Sequence, residues 1–191
     1  MLVDATVPAG QTLLRALRSQ TEVKTRYGGG FVQSIEGVEG NLRRHQDWFW
    51  FVNGLIGDRS ASSYRLRDGD IAWWDYRDWS DDAGELEVVA GAFPEPFLHG
   101  YAGKTRDAAI VYDSKALEPQ ARALGKLIHA KALTADEIGN ANVLFLTKAD
   151  VPLSATSSGA GKPVRFVIGP TAAKRLLADP KLVRFRYSGL P

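Results

Sequence analysis

Cysteine is absent from all 191 residues, which removes disulfides, thiolate nucleophiles and cysteine-ligated metal together. Neither sign of charge dominates. With 24 Lys and Arg against 22 Asp and Glu the net charge is +2, too even to point to nucleic acid as a partner or to an anionic membrane. No apolar run is long enough to span a bilayer, so no transmembrane segment is expected. Met1 is followed at once by Leu2-Val3-Asp4 without a basic leader, so no signal peptide is expected in this chain, and an opening inside a strand-like stretch fits a trimmed start.

Several chemical signatures are also missing. Gly159 to Pro163 reads GAGKP, but Thr156 stands where a phosphate loop needs glycine and Pro163 where it needs Ser or Thr. The bland reading, a flexible connector, is preferred. Gly28-Gly29-Gly30 leads into a strand, so it is no dinucleotide fingerprint. His45, His99 and His129 lack metal-ligand spacing, and the carboxylates from Asp75 to Glu85 lack the calcium-loop pattern. No nucleophile elbow is present. The expectation is a non-enzymatic protein with no metal site, and the sequence names no cofactor.

What is present is a soluble-protein composition, 45% hydrophobic and 24% charged. Residues 1–84 read as one domain. A strand-like opening from Leu2 to Val7 precedes a helix capped by Thr12, and strands follow at Phe31–Ile35, Asp47–Val52 and Ile71–Tyr76. Asn53-Gly54 and Gly69-Asp70 mark turns. One helix with several strands suits a β-grasp. Residues 85–107 form a connector with a strand at Leu86–Ala90 and prolines at 94 and 96.

Residues 108–191 read as β-α-β-β-α-β. The strands are Ala108–Tyr112, Val143–Thr147, Val164–Ile168 and Leu182–Tyr187, and the helices are Glu118–Lys131 and one capped by Thr171, with a capping box at Thr134 and Glu137. The fold class is therefore α+β: a β-grasp packed on a ferredoxin-like or small α/β domain.

The aromatics carry the functional question. Trp48, Trp50 and Val52 share one face of their strand while Phe49 and Phe51 share the other, and Trp74 and Tyr76 oppose Trp73 and Asp75. A sheet covered by a single helix needs only one apolar face, so something must cover the second. Interdomain core and ligand platform both remain open. If it is a platform, Trp50, Trp74, Tyr76, Arg77 and Trp79 are its candidate residues. Arg77 would supply a cation–π or carboxylate contact, and Trp79 lies past the strand's end. His99, in Phe97-Leu98-His99-Gly100-Tyr101, is the remaining ligand-binding candidate.

The order Thr12-Leu13-Leu14-x-x-Leu17, Tyr27-Gly28, Phe31-Val32-x-x-Ile35-x-Gly37, Trp48-Phe49-x-Phe51-Val52-Asn53-Gly54 and Tyr64-x-Leu66-x-x-Gly69-Asp70-x-Ala72-Trp73 resembles a bacterial family of unknown function. That family is similar to the C-terminal β-domain of transcobalamin and intrinsic factor, a ligand-binding β-grasp. The resemblance covers roughly residues 1–80. It implies an extracytoplasmic place at the cell surface or in the periplasm, often as a lipoprotein. It also implies non-enzymatic binding of a corrinoid or another planar amphipathic molecule. The other expectation is an adaptor whose aromatic face docks an envelope protein or glycan.

Overall fold

The computed structural model describes residues 3–80, 87–131, 135–184 and 186. Its architecture is α+β, with three sheets and four α-helices among the described residues. The expected boundary at Asp81–Gly84, the start of the Leu86 strand and the Thr134 cap lie outside those residues.

Thr12 does cap a helix. Its Oγ1 accepts from Arg15 N at 3.2 Å, and α1 (Leu13–Arg18) buries Leu13, Leu14 and Ala16. The residues before it do not form a strand: Val3 to Pro8 has no regular structure. Strand β1 (Val23–Arg26), which sequence reading passed over, pairs antiparallel with β2 (Phe31–Ile35). The two-residue turn Glu36-Gly37 then returns the chain into β3 (Val38–Glu39).

A second three-stranded sheet holds the aromatics. Strand β4 (Gln46–Val52) lies between β5 (Leu55–Ile56) and β6 (Ala72–Asp78). The β4–β5 turn is Asn53-Gly54, with φ of +51° and +78°, the pair of left-handed positions that a tight hairpin requires. Register puts Trp48 opposite Tyr76 and Trp50 opposite Trp74 on one face, with Phe51 opposite Trp73 on the other.

The connector packs onto this sheet, reaching the second face at Gly91. Val88, Val89, Ala90 and Ala92 are all but inaccessible. Gly91 lies so close to Trp73 that a Cβ there would sit 2.6 Å from the indole. Phe93 and Phe97 then continue to Phe166, Phe97 at a centroid separation of 5.2 Å. Buried residues from Leu13 to Val183 thus form one apolar cluster. Asn142 spans the same junction, donating to Pro96 O at 3.1 Å and accepting from Val164 N at 3.1 Å. The peptide bonds before Pro94 and Pro96 are cis.

The last sheet has the order β7-β8-β10-β9: β7 (Ala108–Tyr112), β8 (Asn142–Leu146), β10 (Val164–Ile168) and β9 (Ser154–Ser157). The first three are parallel and β9 is an antiparallel edge. A split βαβ would interpose a strand between β7 and β8, and here they pair directly, so the connectivity differs from the ferredoxin-like order. Strand β9 arises between the expected strands Val143–Thr147 and Val164–Ile168, where no strand was expected. Leu182 and Val183, expected to open a closing strand, lie instead in the 3₁₀ turn Pro180–Val183. Helices α2 (Glu118–Leu127), α3 (Ala135–Asn140) and α4 (Pro170–Ala178) complete this half, α4 with Gly169 rather than Thr171 at its N-cap.

Candidate binding surface

The six candidate residues do not meet in one place. Trp50 is wedged between Gly57, where a Cβ would lie 2.1 Å from its ring, and Tyr64 at 5.3 Å between centroids. Trp74 packs on the same core, with its Nε1 buried and without an acceptor among the described residues. Tyr76 donates its hydroxyl to Glu39 O at 2.9 Å, and Trp48 Nε1 donates to Val38 O at 2.8 Å. These rings fasten the short edge strand β3 onto the aromatic sheet, using side-chain donors where a third ladder would otherwise be needed. Most of the aromatic ladder is therefore interlayer core.

Arg77 belongs to the opposite face. Its guanidinium is paired with Asp75, lies 5.0 Å from the Phe51 ring centroid, and has its side chain only 10% exposed. Both of the contacts expected of it toward a ligand are made within the protein.

His99 lies at the far end of the ladder from Trp79. The seven residues of β4 at about 3.3 Å each separate those ends by roughly 20 Å. Glu95, 2% exposed, receives the His99 backbone N–H at 2.9 Å and pairs with ring Nδ1. The carboxylate so fixes the ring that Nε2 is the nitrogen left facing out, beside Gly69. An oriented imidazole of this kind can hold a proton or a metal ion. No group of three potential ligands surrounds one among the described residues, and no nucleophile is hydrogen-bonded to it.

The exposed rings gather at the other end, where β1 finishes and β2, β4 and the exit of β6 come together. Tyr27 is 85% exposed, Leu42 70% and Phe31 40%. Tyr27 stands at φ +53°, ahead of Gly28 at +65° and Gly29 at +95°, and this tight turn leaves its ring exposed and edge-on to Phe31, at 6.5 Å. Leu42 lies in a 3₁₀ turn capped by Asn41, whose Oδ1 accepts from Arg43 N and Arg44 N at 3.1 and 3.2 Å. Mutual backbone hydrogen bonds between Asn41 and Gln46 close that loop, and Trp79 N donates to His45 O at 2.7 Å. The Trp79 ring stands edge-on to His45 at 4.7 Å. Of the six candidates, Trp79 has its ring against this loop, while Tyr76 and Arg77 stand opposite Trp48 and Asp47 in the ladder that leads to it.

Both signs of charge meet there, Arg26, Arg43 and Arg44 with Glu39, Asp47 and Asp78. The Arg43 and Arg44 side chains form no ion pair among the described residues, while Arg26 approaches Glu39 at 3.8 Å. Beneath them Asp47, 8% exposed, has its carboxyl pushed above the usual range by burial, against the pull of the Trp48 N–H and of Arg26. Sequence reading missed Tyr27, Phe31 and Leu42 as surface residues. The available signal was the glycine triplet, which marks an exposed turn, and the Asn41-Leu42-Arg43-Arg44 run, which places a lone leucine among polar neighbours.

Residues 10–78 match a family described as a domain of unknown function (DUF4430). Both sheets that build the aromatic end lie within this match, which the C-terminal half does not share. No curated protein matches the chain, and no solved structure matches it.

Proposed function

We propose that this protein is a non-enzymatic binding module of the bacterial cell envelope, which holds an anionic polysaccharide against its exposed aromatic end. The observation that carries the reading is Tyr27, 85% exposed beside Phe31 and Leu42. Exposed rings grouped with an exposed aliphatic side chain leave apolar surface in water that a partner would cover. Aromatic rings lie well on the apolar faces of sugars, and the forks of Arg43 and Arg44 match carboxylate or phosphate substituents. The envelope location follows from the resemblance of residues 1–80 to exported proteins. We read that part as a β-grasp of the transcobalamin type, supported by α1 and by the Asn53-Gly54 and Gly69-Asp70 turns, and residues 108–191 as a small α/β unit.

A second reading, a planar amphipathic ligand such as a corrinoid, is favoured by the partnerless Trp74 Nε1. Such a ligand would have to part the packed aromatic face to reach it.

Calorimetric titration of the parent and of Tyr27→Ser/Leu42→Ser with teichoic acid, a neutral glucan, cobalamin and haem separates these readings. Teichoic acid is expected to bind the parent and to lose at least about tenfold, roughly 1.4 kcal/mol, in the variant, whose melting temperature stays unchanged. Equal binding by the variant, or none by the parent, overturns the polysaccharide reading. Cobalamin binding that Trp74→Phe abolishes would establish the second. An adaptor that docks only protein would bind none of the four.

A further inference from the structure

A second feature of the N-terminal part lies apart from the aromatic end. Residues 10–13 run antiparallel to residues 64–66. Gly10 N donates to Leu66 O at 2.8 Å, Leu66 N to Gln11 O at 3.0 Å, and Leu13 N to Tyr64 O at 2.8 Å. Thr12 and Arg65 stand opposite each other in this short ladder. Arg15, three residues after Thr12 and one helical turn along α1, projects from the same side. Arg65 is fixed in place because Nη1 donates to Gly10 O at 2.9 Å, which leaves the rest of its fork uncommitted. The Arg15 guanidinium meets no acceptor and no carboxylate among the described residues.

Between the two arginines lies a surface recess of about 480 Å³, lined by Pro8, Gly10, Gln11, Thr12, Arg15 and Arg65. It is a shallow recess open to solvent, fit to hold one end of a small molecule rather than to enclose it. Two positive charges face it, no carboxylate lines it, the Thr12 hydroxyl and Gln11 amide add polar groups, and the Pro8 ring adds an apolar wall. The backbone ladder holds these two arginines on one side of the recess, with no acid in its lining.

We propose that this recess is a binding site for a small organic anion, whose carboxylate or phosphate group lies between the Arg15 and Arg65 guanidinium groups and whose body rests on Pro8. Planar forks of this kind grip either group through paired N–H donors, and two forks converging on one group add selectivity for oxyanions over halide. The site shares no residue with the aromatic end and stands independently of the polysaccharide reading.

The experiment is a ¹H–¹⁵N NMR titration, including the arginine Nε–H signals, with benzoate, phenyl phosphate and inorganic phosphate as probes. Shift changes are expected to concentrate at residues 10–15 and 64–66. Arg15→Gln and Arg65→Gln should each weaken binding by about tenfold, while Arg175→Gln, at an exposed position of α4, leaves it unchanged. Tighter binding of phenyl phosphate than of benzoate would mark a phosphate ligand, and the reverse a carboxylate. Inorganic phosphate should bind more weakly than either, since it lacks a body to rest on Pro8. Arg65→Lys, which keeps the charge but not the fork, should weaken binding as well. Should Arg65→Gln lose its fold with the Gly10 contact, Arg15→Gln decides the matter, because Arg15 holds nothing else. Equal affinity in Arg15→Gln, uniform small shifts at every exposed arginine, or no saturable shift with any probe would overturn the proposal.

Discussion

The side chain of Asn53 bridges two turns and a loop: Nδ2 lies 2.7 Å from Asp70 Oδ1 and 2.7 Å from Gly100 O, while Oδ1 accepts from Ile71 N at 2.8 Å. Asp70 in turn receives Arg67 N at 2.9 Å. Asn53 is fully buried, so each of these groups depends on the others for its partner.

Asn53→Ala should therefore cost more than an average hydrogen-bonding side chain. It leaves the Ile71 N–H and the Gly100 carbonyl without their partner, for an expected loss of about 2–4 kcal/mol. Urea unfolding of the variant would show a lower midpoint at unchanged slope. A midpoint equal to the parent's would mean that water replaces the amide at no cost.

The two turn glycines are not equivalent. Both need a left-handed backbone, Gly54 at φ +78° and Gly69 at φ +81°, which costs any residue with a Cβ about 1–2 kcal/mol. At Gly54 a Cβ would also sit 2.9 Å from the Val89 carbonyl, a backbone atom of the buried connector, whereas at Gly69 it meets the half-exposed ring of His99, which can give way at the cost of its pairing with Glu95. Gly54→Val should destabilise clearly more than Gly69→Val, by thermal melts of both. Equal losses would show that backbone strain alone governs these turns.

These turns are also where the sequence was most legible. Asn-Gly and Gly-Asp require particular dihedrals whatever surrounds them, so local chemistry sufficed to place β4 and β6, while the two-residue β5 was passed over. Alternation likewise gave the correct faces for Trp48, Trp50 and Phe51, because strand geometry is periodic. What alternation could not give is what lies on each face. Trp50, Trp74 and Tyr76 are spent on the β3 edge and on the core, and Arg77 on Asp75 and Phe51, all partners distant in sequence. Strand β9 escaped notice because Ser154–Ser157 is polar and qualifies only as an edge. The exposed Tyr27 and Leu42 carry no periodic signal at all.

Severing the connector should be worse for the aromatic sheet than severing the C-terminal sheet. Gly91 lies against Trp73 on one face of that sheet, and Val88 pairs with Leu55 and joins the cluster on the other, so residues 1–85 alone should associate or bind a hydrophobic dye. Extension to residue 105 restores the covering segment, though Phe93 and Phe97 then lack Phe166, and should yield a fragment that associates less. Sedimentation of both fragments measures this. A monomeric, cooperatively unfolding 1–85 fragment would show that the connector is not needed to cover that sheet.

Asp47 ties stability to pH. Burial holds its carboxyl above the ordinary carboxylate range, so the native state binds the proton more tightly than the unfolded chain does. The cost of keeping Asp47 ionised is present in full at neutral pH. It diminishes as pH falls through the raised native value, and is gone below the unfolded value of about 4. Asp47→Asn removes that charge and keeps an oxygen that can accept the Trp48 N–H, now donated to Asp47 Oδ1 at 2.8 Å. Arg26 retains Glu39 as its neighbour. The variant should therefore melt above the parent at pH 7, with the gap closing as the buffer is taken to pH 4 and below. A gap that stayed constant with pH, or a parent more stable than the variant at pH 7, would mean that attraction to Arg26 outweighs burial and that Asp47 anchors the aromatic end as a charge.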